Sequence, residues 1–169
     1  MLFRSNDAAR AIAGRTPSRA EAGLPESGFV FCCFNNSYKF SSTMFDVWMR
    51  ILRAVEGSVL WLSQVPAAAM ERLRSEAEAR GVAPSRLVLA PYVAASEDHL
   101  ARQRLAGLFL DTLPYNAHTT AADALWAGTP VVAPAGSLSI SPESIATSLS
   151  VRAAARSIAA SRDTPCCCN

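Results

Sequence analysis

Residues 110–132 contain the densest group of side chains that could bind a phosphorylated ligand. An imidazole, two hydroxyls and a carboxylate follow one another closely, as His118, Thr119, Thr120 and Asp123. A helix is predicted to begin at the two threonines, and the first turn of a helix presents unpaired N–H groups and a partial positive charge. These groups can bind a phosphate or pyrophosphate. Asp123, in the next turn, can accept hydrogen bonds from ribose hydroxyls.

This group also has a purely structural interpretation. Thr119 or Thr120 could cap the helix, which would leave His118 as an ordinary surface residue. The residue types do not separate the two interpretations, so both remain open at this stage.

Two further segments offer ligand-binding side chains. Asn36 and Lys39 follow a short apolar run, and a lysine there can meet phosphate as a point charge. The alternative is a solvated turn. His99 and Arg102 are spaced to share one helix face, where the pair could stack on and hydrogen-bond a base. The alternative is ordinary surface charge.

The elements that must position these residues alternate regularly. Short apolar runs predict strands, and amphipathic runs with capping residues predict helices between them. Residues Ser41-Ser-Thr43 offer an N-cap for the first helix, and Gly57 and Gly81 end the first two helices. Strands are predicted at 28–34, 58–62, 87–90, 105–111 and 131–133. The tryptophans lie on apolar faces and are predicted to be core: Trp48, Trp61 and Trp126.

This alternation predicts an α/β fold, with a parallel sheet covered by helices on both faces. Ligands of such sheets bind beyond the carboxyl ends of the strands. The loops at 35–42, 91–96 and 112–118 are therefore expected to form the site. Neither a Gly-x-Gly-x-x-Gly motif nor a Walker loop follows the first strand, which argues against an ordinary dinucleotide dehydrogenase or a P-loop NTPase.

Composition narrows the class of protein. The 169 residues are 50% hydrophobic and 18% charged, which suits one globular domain and excludes global disorder. A net charge of +2 gives no argument for a nucleic-acid partner. The sequence contains no apolar run of the roughly 20 residues that a membrane span needs. Its first residues lack the continuous apolar stretch of a secretory signal.

The five cysteines do not have the spacing of a zinc site. Cys32 and Cys33 are expected to be buried thiols in a strand, and three more crowd the end of the chain as Cys166, Cys167 and Cys168. Nothing here implies an oxidising compartment, and a cytoplasmic protein is expected. Residues 1–27 are interpreted as a linker or incomplete edge, 28–135 as the ligand-binding lobe and 136–169 as a divergent tail.

Four motifs occur in order along the chain. They are Phe-Asn-Asn-x-x-Lys, Glu-Asp-His-Leu-x-Arg, Leu-Asp-Thr-x-Pro-Tyr-Asn-x-His-Thr-Thr and Asp-Ala-Leu-Trp-Ala-Gly-Thr-Pro-Val-Val. Together they closely resemble the C-terminal catalytic lobe of the O-linked N-acetylglucosamine transferase and SPINDLY family. The resemblance extends from about Asp7 to about Gly136.

The resemblance implies a glycosyltransferase of the GT-B type, in which two Rossmann-like lobes face each other and the C-terminal one holds most of the nucleotide sugar. The family transfers a sugar, with inversion, to Ser or Thr hydroxyls of a protein acceptor. The usual donor is UDP-N-acetylglucosamine, and some SPINDLY-type members use GDP-fucose. No cofactor or metal is expected, and neither a nucleic acid nor a membrane is an expected partner.

The resemblance also implies roles for individual residues. Asn36 corresponds to a position near the phosphates, and Lys39 to the lysine that meets the diphosphate and eases departure of the leaving group. His99 and Arg102 correspond to residues that contact the base. His118, Thr119 and Thr120 correspond to the start of the phosphate-binding helix, and Asp123 corresponds to the acid that binds the ribose.

The chain departs from the family pattern in three ways. The helical repeats and the N-terminal lobe are missing, Ser96 stands where some members carry a lysine, and the sequence after Gly136 diverges. We therefore expect a truncated or frame-shifted gene product. The alternatives to a transferase lobe are a non-catalytic nucleotide- or partner-binding remnant and a phosphate-binding regulatory domain of flavodoxin type.

Overall fold

Strands and helices alternate along the described part of this computed structural model, which comprises residues 10–63 and 65–133. All the predicted strands and helices are present, with ends shifted by up to three residues. The strands are β1 (Val30–Cys33), β2 (Val59–Leu62), β3 (Leu87–Leu89), β4 (Leu108–Leu110) and β5 (Val131–Val132). The helices are α1 (Ser42–Ala54), α2 (Ala67–Ala79), α3 (Ser96–Gln103) and α4 (Thr119–Trp126).

The five strands form one sheet in the order β3-β2-β1-β4-β5, and every neighbouring pair is parallel. The predicted α/β fold with a Rossmann-like parallel sheet is thus confirmed. The chain leaves β1 towards one edge and later returns to β4 on the other side of β1. The order reverses between these two strands, and parallel sheets bind ligands in a crevice beyond the carboxyl ends at such a point. We refer to this region as the crevice.

Each face of the sheet buries its own apolar core, because successive side chains of a strand point to opposite faces. Phe31 and Cys33 pack with α1 and α2 on one face. Val30 and Cys32 pack on the other face with Ala124 of α4 and with two residues that precede β1, Ala22 and Leu24. Residues 10–27 therefore lie against the sheet through these two side chains.

The two strand cysteines are buried and unpaired, as predicted. Burial raises the pKa of the Cys33 thiol to about 12 and that of Cys32 well above its usual value. Both thiols are therefore protonated at neutral pH, which removes them as nucleophiles. The predicted tail over 136–169, with Cys166, Cys167 and Cys168, lies outside the described residues.

The tryptophan predictions are confirmed at two positions and wrong at the third. Trp48 and Trp61 are buried, whereas Trp126 is 48% exposed. The face that α4 turns to the sheet carries Ala124, whose small side chain lets the helix approach closely. Trp126 lies off that face, and its indole Nε1 donates to the backbone oxygen of Arg10 at 3.2 Å.

The predicted start of α1 is confirmed, because the Ser41 hydroxyl accepts a hydrogen bond from the Met44 amide at 3.2 Å. The described helices include none that is both long and apolar enough to cross a membrane.

A tight backbone contact joins the turn before β1 to the turn before β2. Gly28 has a φ of 97°, and a Cβ built there would lie 2.2 Å from the carbonyl oxygen of Gly57. We expect Gly28→Ala to lower the free energy of unfolding by about 2 kcal/mol, since both the φ value and the clash oppose a side chain. Urea denaturation gives this quantity. Gly14→Ala is the control, because nothing lies within 4 Å of its Cβ. Equal midpoints for the two variants would contradict the contact.

Candidate functional site

A buried amide joins the ends of the two central strands. Asn35 follows β1 and Asp111 follows β4, and their exposed fractions are 1% and 3%. The Asn35 Nδ2 donates to Asp111 Oδ1 at 3.3 Å and to Thr112 Oγ1 at 2.9 Å. Because these strands flank the point where the strand order reverses, the bonds hold together both walls of the crevice.

The Asp111 carboxylate organises the loop after β4. Its Oδ1 accepts from the backbone amides of Thr112 at 2.7 Å and Ala117 at 2.6 Å, and its Oδ2 accepts from Asn116 Nδ2 at 3.0 Å. Within the described residues its charge is met by N–H dipoles and not by a cation. Such charge-assisted bonds are stronger than neutral ones, so they fix the loop that leads into α4.

The candidate phosphate-binding groups are attached to this same network. The Thr120 hydroxyl donates to Asn35 Oδ1, and the Lys39 ammonium donates to the backbone oxygen of Asn116 at 3.1 Å. We use the name polar hub for Asn35, Asp111 and the residues hydrogen-bonded to them, which are Thr112, Asn116, Ala117 and Thr120. Through the polar hub, the only lysine of the chain and the start of α4 are held at one edge of the sheet.

The start of α4 is not capped by a threonine. His118 occupies the N-cap position and makes no capping hydrogen bond through its side chain, while Thr119 and Thr120 are the first two helical residues. The capping interpretation of the threonines is therefore wrong. His118 and Thr119 are exposed, so the first turn of α4 is accessible to an anion. Asn36 is also exposed, at the head of the turn Ser37–Lys39.

The His99–Arg102 pair is largely internal. Arg102 is 5% exposed, and its guanidinium lies 4.9 Å from the centre of the Phe34 ring. It donates to the backbone oxygen of Pro91 at 2.6 Å and contacts His99 Nδ1 at 2.7 Å. The surface-charge interpretation is therefore wrong for Arg102, which braces the imidazole and the loop after β3.

This contact determines the tautomer of His99. A guanidinium has no acceptor, so Nδ1 of His99 must accept and the ring proton must reside on Nε2. Burial and, after it, the charge of Arg102 lower the pKa of His99 to about 4. A neutral imidazole is thus presented to a cavity of about 220 Å³, which Ser63, Tyr92 and Val93 also line. An apolar cavity with an N–H donor suits a planar heterocycle.

Asp123 is 6% exposed and pairs with a residue that the sequence did not single out. Its Oδ1 lies 2.5 Å from the Arg10 guanidinium. The charge of Asp123 raises the pKa of His99 and that of Arg10 lowers it. Ser96 is exposed at the first position of α3, the helix that carries His99. The described residues include no group of three His, Cys, Asp or Glu side chains arranged to hold a metal ion.

Sequence reasoning missed four residues of the site: Arg10, Asn35, Asp111 and Asn116. Asn35, Asp111 and Asn116 lie within quoted motifs, and a polar residue immediately after a buried central strand is the available signal for the first two. No periodicity or motif could have indicated Arg10, since its partner is 113 positions away.

The polar hub predicts a large difference between two adjacent asparagines. Asn35→Asp would place a second carboxylate against Asp111 and remove the donated hydrogen bonds, so we expect it to lower the free energy of unfolding by about 3 kcal/mol. Asn36→Asp is the matched control, because Asn36 is exposed, and it should change this value by less than about 0.5 kcal/mol. Chemical denaturation measures both. Similar stabilities for the two variants would show that the polar hub does not hold the loops.

His99 predicts a pH dependence of stability. Its pKa is lowered from 6.5 to about 4, so the unfolded chain takes up the proton first as the pH falls. The His99 contribution is complete above pH 6.5 and should be lost between pH 6.5 and 4. Denaturation midpoints across this range should decline less in His99→Gln than in the parent chain. Protonation of Glu21, whose pKa is lowered to about 2, would reduce stability at lower pH than protonation of His99 does. Parallel declines would contradict the assignment.

The comparisons with known proteins agree with this geometry. The family model of glycosyl transferase family 41 matches residues 8–163 and so extends past Gly136, where the sequence resemblance was expected to end. A probable UDP-N-acetylglucosamine–peptide N-acetylglucosaminyltransferase SEC of Arabidopsis thaliana is 43% identical over 116 residues. The UDP-N-acetylglucosamine–peptide N-acetylglucosaminyltransferase of Caenorhabditis elegans is 45% identical over 115 residues.

These matches cover 69% and 68% of this chain but only 12% and 10% of the two relatives, so the chain spans about a tenth of their length. Among solved structures, a mutant of the O-GlcNAc transferase of Thermobaculum terrenum matches with a TM-score of 0.66 and 25% identity. That match covers 95% of this chain and 36% of the other. The parallel sheet, the crevice and the family model agree, and the chain belongs to glycosyl transferase family 41.

Proposed function

We propose that this chain is the donor-binding lobe of a protein O-GlcNAc transferase and that it binds UDP-N-acetylglucosamine at the carboxyl edge of its sheet. The observation that carries the proposal is the polar hub, which links Lys39 and the first turn of α4 across the crevice. A diphosphate is the ligand that a fixed ammonium and an open helix N-terminus suit best.

The diphosphate would lie between Lys39 and the start of α4. His118 and Thr119 are exposed there, and Thr120 contributes its amide while its hydroxyl is bonded to Asn35. Asn36, exposed in the loop after β1, is placed to contact the same phosphates. In this proposal the Lys39 ammonium and the N–H groups at the start of α4 neutralise the charge of the diphosphate, and no metal is required.

The nucleoside would extend towards α3. The uracil ring would contact His99 from the cavity beside β3, with Nε2–H as a donor, and Arg102 would hold the imidazole in that orientation. The ribose hydroxyls would donate to the Asp123 carboxylate, which is one turn beyond the phosphate-binding end of α4.

The chemistry of the complete enzyme follows from where charge develops. As the glycosyl–phosphate bond breaks, positive charge builds at the sugar and negative charge on the departing diphosphate. Lys39 and the N–H groups of α4 would stabilise that negative charge, which makes Lys39 the catalytic residue of this lobe. A Ser or Thr hydroxyl of a protein acceptor would attack from the opposite side, and the anomeric configuration would invert.

Two alternatives give different binding patterns. A GDP-fucose-using transferase of the SPINDLY type would prefer GDP to UDP. A remnant without a nucleotide site would bind neither. The relatives named above are UDP-N-acetylglucosamine enzymes, which favours UDP as the ligand.

Calorimetric titration of the full chain with UDP, and with GDP for comparison, tests the proposal. We expect saturable UDP binding, weakened about tenfold or more in Lys39→Ala and weakened again in His118→Ala, because each removes a charge-assisted or polar contact to phosphate. Arg53→Ala, which removes an exposed cation from the last turn of α1, is the control and should leave the affinity unchanged.

The single lysine gives an independent measurement. An amine-directed reagent can modify only Lys39 and the amino terminus, so mass spectrometry after tryptic cleavage reports Lys39 alone. UDP should protect it and GDP should protect it less. Unprotected Lys39 at saturating UDP, or equal affinities in the parent chain and Lys39→Ala, would contradict the role assigned to the lysine.

A further inference from the structure

Arg10 reaches the candidate ribose site from outside the sheet. Its guanidinium lies 2.5 Å from Asp123 Oδ1, and the side chains of Arg10 and Asp123 are 25% and 9% exposed. The distance corresponds to a charge-assisted hydrogen bond, and the low exposure limits screening by solvent. Within the described residues, Arg10 is the only side chain that pairs with this carboxylate.

The backbone around Arg10 is fastened to both neighbouring helices. The indole of Trp126 in α4 donates to the Arg10 carbonyl at 3.2 Å. The Ala13 amide donates to the carbonyl of Glu97 in α3, also at 3.2 Å. Arg104, just after α3, reaches the Ala13 carbonyl at 3.4 Å. These bonds fix the backbone that carries Arg10 between α3 and α4, and the ion pair with Asp123 then fixes the guanidinium itself.

Only one carboxylate oxygen is used. The described residues provide a partner for Oδ1 of Asp123 and none for Oδ2. A carboxylate has about four lone-pair sites, and a guanidinium bonded to one oxygen restricts rotation of the group without filling the other oxygen. A carboxylate fixed in this way accepts hydroxyl donors at a lower entropic cost than a free one, because its rotamer is already selected.

We propose that Arg10 is a positioning residue for ribose recognition: it fixes the Asp123 carboxylate through Oδ1 so that Oδ2 accepts the ribose hydroxyls of the donor. The proposal rests on the proposed function, because it takes the ligand to be a uridine nucleotide. It assigns a role in the site to the segment before β1.

The test compares two ligands that differ only in the ribose hydroxyls, UDP and 2′,3′-dideoxy-UDP, in calorimetric titrations of the full chain. We expect Arg10→Gln to weaken UDP roughly fivefold and to change the affinity for the dideoxy analogue by less than about twofold. Arg10→Lys keeps a cation on Oδ1 and should retain most of the UDP affinity. Arg15→Gln is the matched control, because Arg15 lies in the same segment but pairs with Glu21.

A second set of variants tests the coupling. In the Asp123→Asn background, Arg10→Gln should have no further effect on UDP affinity, since the positioned carboxylate is already gone. The chain has two histidines, so nuclear magnetic resonance can follow His99 without ligand once His118→Ala has assigned the signals. Arg10→Gln should raise the pKa of His99, because the Arg10 charge lowers it.

Each other outcome overturns the proposal in a recognisable way. Equal losses for both ligands would mean that Arg10 supports the fold or meets the diphosphate. A gain in UDP affinity would mean that Arg10 competes with ribose for Asp123. An unchanged His99 pKa would mean that the Arg10 charge does not act at the imidazole, contrary to the geometry on which the proposal depends. Absence of UDP binding by the parent chain would instead refute the proposed function, and this proposal with it.

Discussion

The site depends on one constraint: polar groups buried at the ends of β1 and β4 must all be hydrogen-bonded. An unpaired amide or carboxylate there would destabilise the fold by a few kcal/mol. Asn35 and Asp111 meet this requirement through each other, through backbone amides and through the Thr120 hydroxyl. Because those partners belong to the loop after β4 and to α4, satisfying the buried groups also fixes the groups that would touch a ligand. Stability and the geometry of the site therefore have the same origin.

The charges around the crevice are divided in a way that suits a nucleoside diphosphate. Lys39 and the open end of α4 provide positive potential at one end. At the other end Arg102 is stacked on Phe34 and bonded internally, and His99 is neutral, so this end can accept an uncharged base. The Asp123 carboxylate between them is offset by Arg10. Net positive charge is thus concentrated where a diphosphate would lie, which favours productive orientation during association.

Local sequence patterns predicted the architecture well because each strand is a short buried run and each helix has an amphipathic face or recognisable ends. They failed where a residue's partner is distant in sequence. The Asn35–Asp111 bond spans 76 positions and the Arg10–Asp123 pair spans 113, and neither leaves a periodic trace. Trp126 shows a different limit. The sequence pattern predicts that an aromatic residue in a short apolar helix is core, whereas α4 packs closely through Ala124 and its indole hydrogen-bonds the segment before β1.

The division of the reaction between this lobe and the rest of a complete enzyme follows from the same geometry. All the contacts proposed here involve the part of the donor that leaves, namely the nucleotide and its diphosphate. Stabilising that part lowers the barrier only if the sugar and the acceptor hydroxyl are aligned with it, because catalysis depends on interactions that strengthen in the transition state. If the proposed function is correct, binding of UDP by this lobe and transfer of the sugar are therefore separable properties. The first would require the polar hub, and the second would also require groups that position the acceptor.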